Sequence, residues 1–239
     1  MPWVKPASTK QRIENWYYDR FHRDVVRVLE EQGGLNQESL IIEFGCDRGL
    51  LAHYLQGRCR RLILSDLSDR RETAASLACE FHLARAEASG LDSGSLDLII
   101  MISVYHHLSD FEGSTKEVAR VLKPHGKLVL VEPIKSHPFT MFLNTIAPWV
   151  HPGDPNWTEP YGLALWVNRS FINQQFSVGF RRGYLAKLDN CLWGLNPFLP
   201  KPILKMYFRF QQLTKVANTE IHIFEKEDAP SMNRTPPVA

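Results

Sequence analysis

In the stretch IIEFGCDRGLLAHYL, residues 41–55, an apolar run ends at Gly45, a second glycine follows at Gly49, and an amphipathic run begins. A strand that passes through such a turn into a helix aims backbone N–H groups and the positive helix end at whatever lies beyond the turn, and glycine lets a ligand come close. That is the chemistry of gripping a nucleotide-like molecule, although a tight turn without a ligand uses the same residues. Asp66 narrows the choice. It closes the next apolar run, LILSD, about 20 residues further on, where a carboxylate can accept from both hydroxyls of an adenosine ribose. Asp66 and Ser68 also suit the cap of a helix beginning near Asp69.

These residues need a frame to hold them. Short β-rich runs recur at 40–44, 61–66, 81–84, 96–102 and 126–132, too short for buried helices and bounded by charge, glycine or proline. Helical pieces fall between them at 49–56, 69–79 and 111–122, the last with Val118, Ala119, Val121 and Leu122 as its buried stripe. Strands that alternate with helices require right-handed crossovers and a mainly parallel sheet covered on both faces, a doubly wound α/β fold. An amphipathic helix over 10–32, with Phe21, Val25, Val28 and Leu29 on its apolar face, leads the chain and makes 1–37 an amino-terminal helical segment. Residues 134–170, rich in proline and carrying Trp149, Trp157 and Trp166, read as an insertion or lid. A helix around 170–177, a strand around 180–189, an amphipathic segment at 202–213 and a final strand at 219–225 follow, and 227–239 reads as a loose tail.

Composition bounds the function classes. The chain has 239 residues, 44% of them hydrophobic, and a formal charge of +2, which suits one domain with a sizeable core and gives no basic stripe for nucleic acid. Cysteines 46, 59, 79 and 191 make no CxxC pair and no zinc spacing, so no metal is expected and a reducing, cytoplasmic setting is the simplest reading. No run approaches the roughly 20 apolar residues of a membrane span. Ile203, Leu204, Met206, Tyr207 and Phe208 beside Lys201, Lys205 and Arg209 could still lie on an anionic membrane, or simply pack on the sheet.

The succession IIEFGCDRG, LILSDLS, SLDLIIMISVYHHL and EVARVLKPHGKLVLVEP resembles the class I S-adenosylmethionine-dependent methyltransferases, in the small-molecule branch that includes the ubiquinone and menaquinone methyltransferases. The resemblance covers about residues 38–134 and, more faintly, 170–226. It implies a methyltransferase domain over 38–226, a Rossmann-like sheet of seven mostly parallel strands with one antiparallel strand near 219–225, and S-adenosylmethionine as cofactor. It further implies that Glu43 orients the cofactor's amino group or the glycine loop, that Gly45, Cys46 and Gly49 surround the methionine part, and that Asp66 holds the ribose with Leu67 beside the adenine. Ser103 matches the place where the fourth strand passes the methionine end. His106, His107 and Glu132 follow the fourth and fifth strands, where one histidine could remove a proton from the methyl acceptor.

Two positions depart from the family. Asp47 stands where the middle glycine is usual, and Arg85 where many relatives have an acid that reads the adenine amino group, leaving Glu87 as the candidate substitute. The expected activity is methyl transfer to a small, apolar or lipid-like acceptor, shaped by the aromatic insertion. The departures motivate an alternative, a methyltransferase-like scaffold that has lost catalysis and binds a partner.

Overall fold

The computed structural model describes residues 9–133, 168–188 and 219–228. Its strands are β1 (Leu40–Phe44), β2 (Arg61–Asp66), β3 (Glu80–Leu83), β4 (Leu96–Ile102), β5 (Leu122–Pro133), β6 (Phe180–Leu188) and β7 (Thr219–Lys226). They form a single seven-stranded sheet in the order β3-β2-β1-β4-β5-β7-β6, with β7 antiparallel to both of its neighbours and the remaining pairs parallel. The helices are α1 (Thr9–Glu31), α2 (Ala52–Leu55), α3 (Arg71–Ser76), α4 (Phe111–Val121) and α5 (Arg169–Gln175), with a 3-10 turn at Tyr105–His107. The expected doubly wound sheet and its one antiparallel strand are both present.

The period of two along each strand divides the core into two layers. Ile41, Leu98, Ile100, Val129, Val131 and Ile223 face α1, α2 and α3, where Val25, Leu29, Leu55 and Ala74 cover them. Ile42, Phe44, Ile99, Met101, Leu130 and Phe224 face α4 and α5, where Val118, Val121, Ile172 and Phe176 close the other side. With both faces covered, the strands can be apolar almost throughout. A polar residue on one of them therefore stands out.

Strand order reverses at β1, which has β2 on one side and β4 on the other. The crossovers leave in opposite directions there and open a crevice at the carboxyl ends of β1 and β4. The sequence places its glycine turn and its histidines on these two ends.

Several elements differ from the expected bounds for local reasons. Helix α3 starts at Arg71 rather than 69, because the Asp66 and Asp69 carboxylates accept from Ser68 N and Arg71 N and hold the chain in turns. Strand β5 starts at Leu122, opposite Leu96, and then bulges through Lys-Pro-His-Gly before Lys127 pairs with Leu98. The bulge carries Lys123 to Asp97, 2.8 Å from each carboxylate oxygen, and Asp97 also accepts from Leu40 N at 2.8 Å. One half-buried carboxylate thus ties the starts of β1, β4 and β5. The lid at 134–170 (save 168–170), the amphipathic segment at 202–213 and most of the 227–239 tail lie outside the described residues.

Replacing Asp97 by Ala removes the acceptor for Leu40 N and the partner of Lys123. Urea denaturation should show a loss of about 1–3 kcal/mol, and a smaller loss for Asp97→Asn, which keeps an acceptor. Equal losses in both variants would show that the backbone bond contributes little.

Candidate active site

Gly45 ends β1 at φ +69°, and a Cβ built there would fall 2.2 Å from Cγ2 of Val104. The glycine turn after β1 is therefore in direct contact with the turn after β4. Cys46 N donates to Ser65 O at 3.0 Å, and Gly49 N donates to Cys46 O at 2.7 Å. Asp47 takes φ +43°, and its amide donates to Oδ2 of Asp66 at 3.0 Å while Ser68 N donates to Oδ1 at 2.9 Å. Asp66 does not cap the helix that follows, whose N-cap is Arg70 with no side-chain cap bond. The carboxylate ties the loops after β1 and β2, and its remaining lone pairs can still accept from a ligand. Leu67, beside it, is largely exposed.

Gly49 has another use. A Cβ there would fall 2.6 Å from Leu77 Cδ1, so this glycine also lets the loop settle on the end of α3. Cys46 is buried, and burial, followed by the charges of Glu43 and Asp66, pushes its thiol up to about 12. Such a thiol is no nucleophile at neutral pH.

Glu43 is the unusual acid of β1. It is 5% exposed, and its Oε2 is buried with no hydrogen-bond partner. Burial first, then the charges of Asp47 and Asp66, push its carboxyl up to about 8. A buried carboxyl without a partner is costly and calls for a donor. The ammonium of an amino acid moiety is such a donor, so the loop fits a ligand that carries one.

On the far side of Gly45, Ser103 N extends the ladder to Val131 O at 2.8 Å, and φ +55° at Ser103 then turns the chain out of β4. The 3-10 turn that follows is pinned by Glu132 of β5. Its Oε1 accepts from Tyr105 N at 2.9 Å, and its Oε2 lies 2.5 Å from His106 Nδ1. His106 is buried and His107 exposed, with ring centroids 4.0 Å apart. In the tautomer that donates Nδ1–H to this carboxylate, the Nε2 lone pair faces away as an acceptor. The two histidines thus differ in kind: His106 is oriented by Glu132, and the exposed His107 ring lies tilted against it at 41°.

Glu87 is 9% exposed, 3.2 Å from Arg85, and the Ser109 hydroxyl bonds both side chains. Arg85 therefore holds the neighbouring acid in place at the β3 end of the crevice. A second buried polar group escaped the sequence reading. Glu220 of β7 is the register partner of Glu132, and both Arg169 and His222 bond its carboxylate. Burial raises its carboxyl, but the His222 and Arg169 bonds outweigh that and bring it down to about 2. The signal was available in TEIHIF, where polar residues 220 and 222 interrupt a strand buried on both faces.

Residues 42–130 match the family model described as a methyltransferase domain. Over that stretch the chain is similar to methyltransferase domains. An uncharacterized methyltransferase of Schizosaccharomyces pombe is 24% identical over 110 residues, which is 40% of this chain and 39% of that protein's length. The chain thus spans well under two thirds of that curated relative. Among solved structures, the YcgJ protein of Bacillus subtilis superimposes with a TM-score of 0.60 at 18% identity, covering 87% of this chain and all of that one. A SAM-dependent methyltransferase from Aquifex aeolicus superimposes with a TM-score of 0.56 at 14% identity, covering 92% and 98%. At such identities these two likenesses speak for the fold.

Among the described residues, no cluster of three or more His, Cys, Asp or Glu could hold a metal, and no helix is long and apolar enough to cross a membrane. A surface pocket lined by Gln56, Cys59, Arg61 and Cys79 opens at the opposite edge of the sheet and shares no residue with this site.

Glu43 keeps its proton in the folded chain up to about pH 8, whereas the unfolded chain loses it in the ordinary carboxylate range. The folded state binds more protons across that window, so this group's contribution to stability falls as pH rises through it. Glu43→Gln, neutral at every pH, should flatten the fall in urea titrations run from about pH 5 to 9. An unchanged slope would assign the pH dependence to other groups.

Proposed function

We propose that the protein transfers the methyl group of S-adenosylmethionine to a small, substantially apolar or lipid-like acceptor. The observation that carries the reading is the contact of Gly45 with Val104, which brings the loop of Glu43 and Asp66 against the turn that bears His106. A ligand held by the first lies beside a proton acceptor on the second. The cofactor's sulfonium supplies an already activated methyl, so neither a metal nor a covalent nucleophile is required.

In this reading Oε2 of Glu43 takes the cofactor's amino group, Asp66 takes the ribose hydroxyls, and Leu67 lies beside the adenine, with Glu87 further along the crevice. Cys46 and Ser103 flank the methionine part with their backbone. His106, oriented by Glu132, removes the acceptor's proton at Nε2 when the acceptor is a hydroxyl or an acidic carbon. The chain must also hold the acceptor in line at near-attack distance, roughly 3 Å. The acceptor class rests on the aromatic stretch 134–170 in the sequence and on the resemblance to the small-molecule branch. Neither departure leaves a lone charge: Asp47 pairs with Arg48 and Arg70, and Arg85 pairs with Glu87. This favours the enzyme over the scaffold.

Incubation with methyl-labelled S-adenosylmethionine and fractionated extract should label a small apolar product. Label confined to macromolecules would overturn the acceptor class, and no label in any extract would favour the scaffold. With that acceptor in hand, His106→Ala should lower kcat by roughly 10²–10⁴-fold while cofactor affinity stays nearly unchanged, and His107→Ala should do much less. Loss of cofactor binding in step with activity would give His106 a purely structural role. Ionisation of Glu43 beside the bound ammonium should release a proton on binding below about pH 8, read as a buffer-dependent heat in calorimetry and absent in Glu43→Gln.

A further inference from the structure

Asp47 brings a third carboxylate to a loop that already has Asp66 and the buried Glu43, and both aspartates raise the Glu43 carboxyl. Their mutual repulsion opposes the bond from Asp47 N to Asp66 that closes the loop. Arg70 offsets it. Its Nη2 lies 3.3 Å from Asp47 Oδ1, its Nε is buried with no hydrogen-bond partner, and its charge reaches Cys46 strongly enough to act on the thiol. Arg48 also lies 3.5 Å from Asp47, but it is the adjoining residue and moves with the loop. Arg70 comes from the segment after β2, the strand that Asp66 ends, and so fastens one loop to the other.

We propose that Arg70 is the positioning residue of the cofactor loop, pairing with Asp47 to neutralise the charge that stands in place of the family's middle glycine and to keep the loop closed on Asp66. The inference rests on the cofactor reading above. Arg70 acts through Asp47 and need not touch the ligand. Its effect should therefore exist only while residue 47 carries a carboxylate.

Four full-length proteins test this: wild type, Arg70→Ala, Asp47→Gly and the double variant. Two readouts are used, amide hydrogen exchange at position 47 without ligand and calorimetric affinity for S-adenosylmethionine and S-adenosylhomocysteine. Arg70→Ala should speed exchange and weaken both ligands by roughly two- to fivefold, the range a partly exposed ion pair supports. In the Asp47→Gly background the same change should alter neither readout beyond error, and Arg70→Lys should recover part of the loss. Equal losses in both backgrounds would overturn the inference by assigning Arg70 a direct ligand contact, and so would no effect in either. A folded wild type that binds neither ligand would refute the cofactor reading instead. Exchange at position 47 would then decide alone, with unchanged protection after Arg70→Ala overturning the inference.

Discussion

Gly45 approaches Val104 so closely that any side chain there would enter the space of a valine methyl. The contact joins the ends of two strands that the sheet order has made neighbours, β1 and β4, at the one point where successive crossovers part. Had the glycine carried a side chain, either Val104 or the end of β1 would have to move. The turn with Ser103, Tyr105 and His106 would then lose its register with Glu132. The site is thus built on a steric constraint, and its charged groups take their places around it.

Three glutamates are buried at the carboxyl edge or its antiparallel counterpart, and they are satisfied differently. Glu132 accepts from a backbone amide and meets a histidine, while Glu220 is bonded by Arg169 and His222. Glu43 has one oxygen with no partner. Buried acids are normally paired, because an unpaired one costs more than a hydrogen bond returns. The contrast sets two carboxylates held by partners within the chain against one with an oxygen that has none.

Much of the fold was legible because seven runs of β-forming residues alternate with helical ones, and burial on both faces leaves a strong apolar signal. Gly45 and Asp66 drew notice through their spacing after successive strands, and His106, His107 and Glu132 through the motifs that carry the family resemblance. Other features depend on distances that no local pattern encodes. The close approach of Gly49 to Leu77 is one, set by where α3 lands. Two adjacent histidines read alike, and only the position of Glu132 across the sheet orients one and leaves the other exposed. Arg70 carries no motif, and its partner is defined by the spatial meeting of two loops.

The two departures from the family pattern follow the same physics. An aspartate can hold φ +43° at modest cost, since short polar side chains tolerate the left-handed region better than most. Its backbone thus does the work of the missing glycine, and the amide it presents is the one that meets Asp66. What remains to be offset is charge, and arginines lie within ion-pair distance of it. After β3, Arg85 is bonded to Glu87 two positions later. In both places the loop keeps its backbone course and acquires a compensating partner, as expected where geometry is constrained by packing and charge can be balanced from nearby.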